Sequence, residues 1–339
     1  MTKAISSIAF GPVPSRRLGQ SIGINNIPPK KCSYSCVYCQ LGRTYDVRII
    51  RTPFYKPQEI FDAVEQKIQA AKQKKESIDY LTFVADGEPT LDRNIGEEIK
   101  MLKSLGLKIA VITNSSLLWK NDVKDDLCNA DWVSLKVDTI DQGIWRRINR
   151  PHRSLQLEEI LQGIRDFSDS FSGTLTTETM LLQDVNEAVE GQTMVATFIG
   201  SIQSDKSYLS IPIRPPAETW VKPAQEKNLN NAFQIFTEQG IDVEYLIGYE
   251  GNRFASTGDI IEDLLGIMSV HPLREDGVKA VLSKAHASWD LIPLLLQQKK
   301  IIQTDYNGKK FFMRTLPKNA SDSRNDGLQR NDPTGSDST

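Results

Sequence analysis

The sequence predicts an α/β fold: a partial (β/α)6 TIM-like barrel with a C-terminal winged-helix-like domain. Three observations carry this. Short β-rich runs alternate with amphipathic helical runs over residues 1–250, the pattern of a parallel sheet. After Gly258 the pattern changes to three helical stretches and a hairpin. A loop at 28–44, just after the first predicted barrel strand, carries three of the four cysteines.

In chain order, the β-rich runs are 21–27, 80–85, 108–113, 132–137, 175–181 and 208–213. Between them, residues 58–74 place Ile60, Ala63, Val64, Ile68 and Ala71 on one face at close to a 3.6-residue period. Segments 94–104, 157–167, 187–202 and 225–238 read the same way. In such a barrel the C-terminal ends of the strands line the active site, so motifs placed there carry functional weight. Beyond the barrel, helices are expected at 259–268, 275–284 and 288–300, then a hairpin turning at Asn307-Gly308. This accessory domain spans 255–316. Its third helix carries Trp289, Leu291, Ile292, Leu294, Leu295 and Leu296, with Lys299 and Lys300 as its only basic residues. Direct readout and phosphate contacts need basic and amide side chains, so a protein-docking or substrate-presenting module is favoured over a DNA reader. The stretch 317–339 is Ser, Asp, Asn and Gly with almost nothing apolar, and is expected to be disordered.

Composition narrows the class. The chain has 339 residues and a net charge of −2, so it is not a polycation built to coat nucleic acid. No apolar run is long enough to span a membrane, and the first 14 residues lack the features of a signal peptide. Four cysteines do not make a disulfide framework at this length, and a reducing cytoplasm is the expected location.

Cys32, Cys36 and Cys39 form a C-x3-C-x2-C run. Thiolates this close can converge on one face of an inorganic cluster. Tetrathiolate zinc and closed iron–sulfur sites need a fourth protein ligand, and none lies nearby. A cubane held by three cysteines leaves one iron open to a ligand that is not protein. The competing readings are a zinc knuckle and a redox cysteine cluster. Cys128 falls on a short helix near the opposite end of the barrel and is expected to be buried and inert.

The cysteine run, with Tyr38 before its last member, resembles the signature of the radical S-adenosylmethionine (SAM) superfamily. The resemblance implies a [4Fe–4S] cluster whose open iron chelates SAM. Reductive cleavage would then give a 5′-deoxyadenosyl radical that abstracts hydrogen from a substrate. Asp86-Gly87-Glu88-Pro89-Thr90 resembles the superfamily's Gly-Gly-Glu motif, with Asp86 in place of the first glycine. By that resemblance Gly87 and Glu88 meet the amino group of SAM. Asn114 and Ser116, after the third strand, are expected either to bind ribose hydroxyls or to cap a helix. Lys136 and Asp138 point to the same side of the fourth strand. Asp138 and Glu178 are candidate cofactor contacts, each with a structural ion pair as the alternative.

Residues 1–57 carry nine Lys and Arg against one acid, Asp46, and a second basic run holds Arg146, Arg147, Arg150 and Arg153. One reading is internal: these cations offset an anionic cluster and acidic neighbours. The other is an anionic substrate met by Arg16, Arg17, Arg147, Arg150 and Arg214 on one rim. Segments 11–19, 40–44, 148–152 and 213–218 resemble iron–sulfur oxidoreductases related to the tRNA wybutosine-synthesising radical SAM enzymes. That resemblance implies tRNA only by analogy. The expectation is therefore a radical SAM enzyme acting on an anionic substrate and reduced by an external flavodoxin or ferredoxin, since no second cluster motif is present. The rival readings are a peptide- or protein-modifying radical enzyme and a redox-sensing DNA-binding regulator.

Overall fold

The computed structural model describes residues 8–247, 259–270 and 272–315. Its main sheet has eight strands: β1 (Ala9–Ser15), β2 (Gly19–Ile24), β3 (Tyr80–Phe83), β4 (Lys108–Thr113), β5 (Trp132–Lys136), β6 (Thr174–Met180), β7 (Lys206–Ser210) and β8 (Val243–Leu246). They lie side by side in sequence order. β1 is antiparallel to β2, and every later pair is parallel. The crossovers run through α1 (Pro57–Gln73), α2 (Ile95–Lys103), α3 (Asn121–Leu127), α4 (Gln142–Asn149), α5 (Leu157–Ser170), α6 (Val189–Ser201) and α7 (Glu226–Glu238). This is the mostly parallel α/β architecture that the alternating pattern predicts.

Each helix buries the stripe its period dictates. In α1, Ile60, Ala63, Val64, Ile68 and Ala71 are all buried, Pro57 opens the helix, and Glu59 accepts from the Lys56 amide at 2.9 Å. The threonines of β6 suit a strand by their branching and satisfy their hydroxyls inside the sheet. Thr179 Oγ1 donates to Val137 O at 2.8 Å, and Thr177 Oγ1 lies 2.8 Å from Ser207 Oγ. The sheet curls on itself. Leu18, Ala110, Trp132, Tyr208 and Leu246, from the β1–β2 turn and from four strands, form one buried cluster.

Three elements depart from the sequence reading. β1 contains Pro12 and Pro14, which demote a run to non-strand on pattern alone. An edge strand tolerates them because one side needs no ladder bonds, and the register shifts between Phe10 and Val13. β8 is four residues with no clean alternation. Helix α4, capped by Asp141 accepting from the Ile144 amide at 2.7 Å, carries Arg146 and Arg147 of the second basic run, to which the sequence reading assigned no element.

The C-terminal elements are α8 (Ile260–Val270), β9 (Leu273–Arg274), α9 (Glu275–Lys284), α10 (Leu291–Gln297), β10 (Ile301–Tyr306) and β11 (Lys309–Arg314). The strands form an antiparallel sheet in the order β10-β11-β9. Asn307 and Gly308, at φ 49° and 69°, make the hairpin turn. The expected domain break near 250 and the tail at 317–339 lie outside the described residues. Leu264, Ile267, Met268, Val278, Leu295 and Phe312 share a core with Phe10 and Val13 of β1, so this module covers the β1 edge of the barrel. Lys67 of α1 reaches Asp263 of α8 at 3.6 Å, a second tie.

Phe10 is 2% exposed and carries this joint. Phe10→Ala is expected to lower unfolding free energy by about 3–5 kcal/mol in a urea titration. A loss below about 1 kcal/mol would mean the module rests on β1 without being held there.

Candidate functional site

The C-terminal ends of the parallel strands open into a cleft of about 340 Å³. Cys32, Cys36, Cys39, Tyr38, Gly87, Glu88, Asn114, Glu178, Arg16, Arg17 and Arg214 all line it. Ser116, Asp138, Arg147 and Arg150 do not.

The cysteine loop is fixed by backbone hydrogen bonds on both flanks. On one side, Ser35 N donates to Asn149 O (3.0 Å), Val37 N to Ile148 O (2.8 Å) and His152 N to Ser33 O (3.0 Å). The run 148–152 is thus a clasp for the loop. On the other side, Lys30 N donates to Asp86 O (2.8 Å) and Glu88 N to Lys31 O (2.9 Å). A Cβ at Gly87 would lie 1.8 Å from Lys31 O, so only glycine admits this approach. Val37, between two cysteines, is fully buried against Ile148, Leu182 and Val221.

Glu88 is 1% exposed, and its carboxylate accepts from Thr90 N (3.0 Å), Thr90 Oγ1 (2.6 Å), Thr113 Oγ1 (2.7 Å) and Asn114 N (2.7 Å). It ties the end of β3 to the end of β4, and burial pushes its pKa up against those hydrogen bonds. Asn114 Nδ2 in turn donates to Cys32 Sγ (3.5 Å) and Ser33 Oγ (2.9 Å). Ser116 is buried against Ser33, hydroxyl to hydroxyl, behind the cleft wall.

Asp138 acts through Tyr38. Its carboxylate accepts from the Tyr38 hydroxyl, from Asn149 Nδ2 (2.8 Å) and from Met180 N (2.9 Å). Asn149 Nδ2 also stands 3.5 Å from Cys36 Sγ. Burial drives the Cys36 thiol up to about 12 and Cys32 higher still. A metal loaded here must displace those protons.

Glu178 is the hub of the cleft floor. It accepts from Arg17 Nη1 (2.7 Å), Lys136 Nζ (2.7 Å) and Ser210 Oγ (3.0 Å). Burial raises its pKa, but Lys136 and Arg17 outweigh it and bring it to about 2. Arg17 comes from the β1–β2 turn, at the N-terminal end of the parallel strands, and lies over the rings of Trp132 and Tyr208.

The shared rim expected for the arginines therefore needs correcting. Arg16 and Arg17 enter from the opposite end of the barrel. Arg150, at φ 45°, and Arg43 both pair with Glu218, the latter bidentately at 2.7 Å. Arg147 stacks on Trp220, 5.6 Å from its centroid. Arg51 is buried against Asp122 (2.6 Å) and Asp126 (2.5 Å), and Lys31 and Arg48 share Asp46. Arg214 donates to Gln40 at 3.3 Å and does face the cleft. Cys128 is exposed rather than buried, at the end of α3 remote from the cleft.

Two further cleft residues stand out: Asp86, known from sequence only as the departure from the glycine motif, and Lys30, counted there only among the N-terminal cations. Lys30 Nζ and Asp86 Oδ1 are buried without hydrogen-bond partners. Burial raises Asp86 to about 7 against Arg314, Lys30 and Asn25. In sequence Lys30 is one of nine Lys and Arg in residues 1–57, and nothing in the pattern separates it from the other eight. Three thiols lining one cleft, a buried ammonium and a carboxylate oxygen without hydrogen bonds in the same lining, and a glycine cradle suit a cluster together with a zwitterionic ligand.

A model of the radical SAM superfamily matches residues 26–191. The UPF0026 protein MJ1312 of Methanocaldococcus jannaschii is 48% identical over 91% of this chain and 97% of its own. An S-adenosylmethionine-dependent nucleotide dehydratase of Flammeovirga pacifica is 28% identical over 49% of this chain and 59% of its own. A solved radical SAM methyltransferase from Sphaerobacter thermophilus covers 67% of this chain and 66% of its own, with a TM-score of 0.53 at 15% identity, which shows a shared fold. The chain belongs to the radical SAM superfamily and, within it, to the UPF0026 family. Its cofactors are accordingly a [4Fe–4S] cluster and SAM.

Gly87→Ala is expected to push the cysteine loop away and weaken iron binding by about 10–100-fold, read as iron retained after anaerobic reconstitution and desalting. Wild-type retention would show that the loop accommodates the methyl group.

Proposed function

We propose that Cys32, Cys36 and Cys39 hold the cluster and that the enzyme uses SAM to take hydrogen from an anionic substrate. The observation that carries this reading is that all three thiols line a single cleft otherwise rich in charge. Bound there, cluster and SAM supply reductive cleavage of a carbon–sulfur bond and a carbon radical that removes hydrogen. The chain does the rest. Asn114 donates to Cys32, and Asn149 reaches Cys36, orienting two of the sulfurs. Asp138 and Asn149 fix the Tyr38 ring at the cleft edge, where Lys136 Nζ stands 5.2 Å from its centroid. Gly87 offers backbone at close range.

The anionic-substrate reading rests on the cleft lining of Arg16, Arg17, Lys30, Lys136 and Arg214 against Asp86, Glu88 and Glu178. Glu178 neutralises much of Arg17 and Lys136. Arg16 and Arg214 line the same cleft and are the substrate contacts proposed. A nucleotide-bearing substrate, with tRNA as the macromolecular form, is the class preferred. The named activity of the Flammeovirga relative, a nucleotide dehydratase, supports it. An external flavodoxin or ferredoxin in a reducing cytoplasm would deliver the electron.

The three helices and hairpin of the C-terminal module support a winged-helix-like reading. Tyr306 donates to Pro212 O at 3.0 Å, against a loop lining the cleft. Helix α10 carries no basic residue, so the module fits substrate presentation better than DNA readout. Among the described residues, no helix is long and apolar enough to cross a membrane.

Anaerobic reconstitution, then dithionite and SAM, should yield 5′-deoxyadenosine by mass spectrometry, falling to background in Cys36→Ala. Product persisting in that variant would remove Cys36 from the site. tRNA binding should weaken steeply with salt, and a salt-insensitive polypeptide ligand would instead favour the peptide-modifying alternative.

A further inference from the structure

We infer that Lys30 tunes the cluster: its buried ammonium group favours the reduced, more anionic state and so raises the reduction potential. The inference rests on Cys32, Cys36 and Cys39 being the cluster ligands.

The neighbouring cations have partners: Lys31 and Arg48 share Asp46, Arg43 meets Glu218, Arg51 meets Asp122 and Asp126, and Arg17 meets Glu178. Lys30 differs, because its Nζ is buried and makes no hydrogen bond. It lines the cleft beside the three cysteines. The amine reaches the turn that follows Cys39. It lies 3.6 Å from where a Cβ on Gly42 would stand, and Gly42 N donates to Cys39 O at 3.0 Å. Its charge interacts with Cys39 and Cys32 ahead of Asp86. Asp86 Oδ1 makes no hydrogen bond to it or to any other group.

The backbone is committed to this placement. Lys30 sits at φ 65°, a left-handed conformation that non-glycine residues hold only when their surroundings insist. A buried cation left unpaired is unfavourable, and an anion at the three sulfurs would compensate it. Three thiolates make the cluster anionic, and reduction adds one electron and one more negative charge with no bond made or broken. In a low-dielectric site that extra charge is attracted to the ammonium, so the reduced form gains most.

The test is an EPR-monitored potentiometric titration of reconstituted wild-type protein, Lys30→Met, Lys30→Gln and Lys30→Arg, with iron content and SAM affinity measured alongside. At the potential where half the wild-type cluster is reduced, the Met variant should show a reduced-to-oxidised ratio about tenfold lower, a shift of about 59 mV for one electron. Gln should behave like Met, and Arg should stay close to wild type. Gln keeps the test open if Met loads iron poorly. An unchanged potential in fully loaded Met or Gln protein overturns the inference. So does a loss of SAM affinity with the potential unmoved, which would assign Lys30 to the SAM carboxylate. A wild-type protein with no such cluster signal would overturn the ligand assignment first, and the inference with it.

Discussion

The site depends on one close approach: the carbonyl of Lys31 against Gly87 and the amide of Glu88. This contact brings the cysteine loop, which follows β2, onto the end of β3. Glu88 then extends the tie to β4 through four donors, and Asn114 on that strand returns to Cys32. The clasp at 148–152 holds the opposite flank of the loop. Three thiols on a surface loop would otherwise sample many arrangements. Here their backbone is bonded on both sides, so the entropy of ordering is spent on folding and little remains for metal loading.

Charge in the cleft falls into two sets. Glu178, Arg17 and Lys136 form a self-satisfied set in the floor, where burial makes mutual pairing obligatory. In the second set, Lys30 Nζ and Asp86 Oδ1 make no hydrogen bond to protein groups, while the rest of the Asp86 carboxyl is held by Asn25. An ion set that is complete in itself serves the fold, and one that is incomplete awaits a ligand. The same distinction explains why most of the N-terminal arginines, numerous as they are, say little about substrate.

Much of this was legible in the sequence. The alternation of strands and helices, the apolar face of α1 and the Asn307-Gly308 turn are local patterns, and each reads correctly; the cysteine run, equally local, points to the superfamily that the chain belongs to. What the pattern hid was non-local. Pro12 and Pro14 argue against a strand until β1 is known to be an edge. Arg17 and Glu178 are 161 positions apart, and only the curl of the sheet joins them. Asp138 reads as a cofactor contact because it sits at a strand end, yet its partner Tyr38 lies 100 positions away. Cys128 was expected inside by the habits of free cysteine, but the end of α3 faces solvent. Arg150 and Glu218 illustrate the general difficulty: a charge in sequence carries no mark of its partner.

The central claim is that three cysteines of one loop hold a cluster with an iron left open for SAM. Adding SAM to the dithionite-reduced, reconstituted protein and recording the EPR spectrum tests it directly. The account predicts that SAM changes the g-values of the cluster signal and that Cys128→Ser leaves both spectra unaltered. A signal indifferent to SAM, or one that collapses when Cys128 is replaced, would mean the cluster is closed by a fourth thiolate and contradict the account.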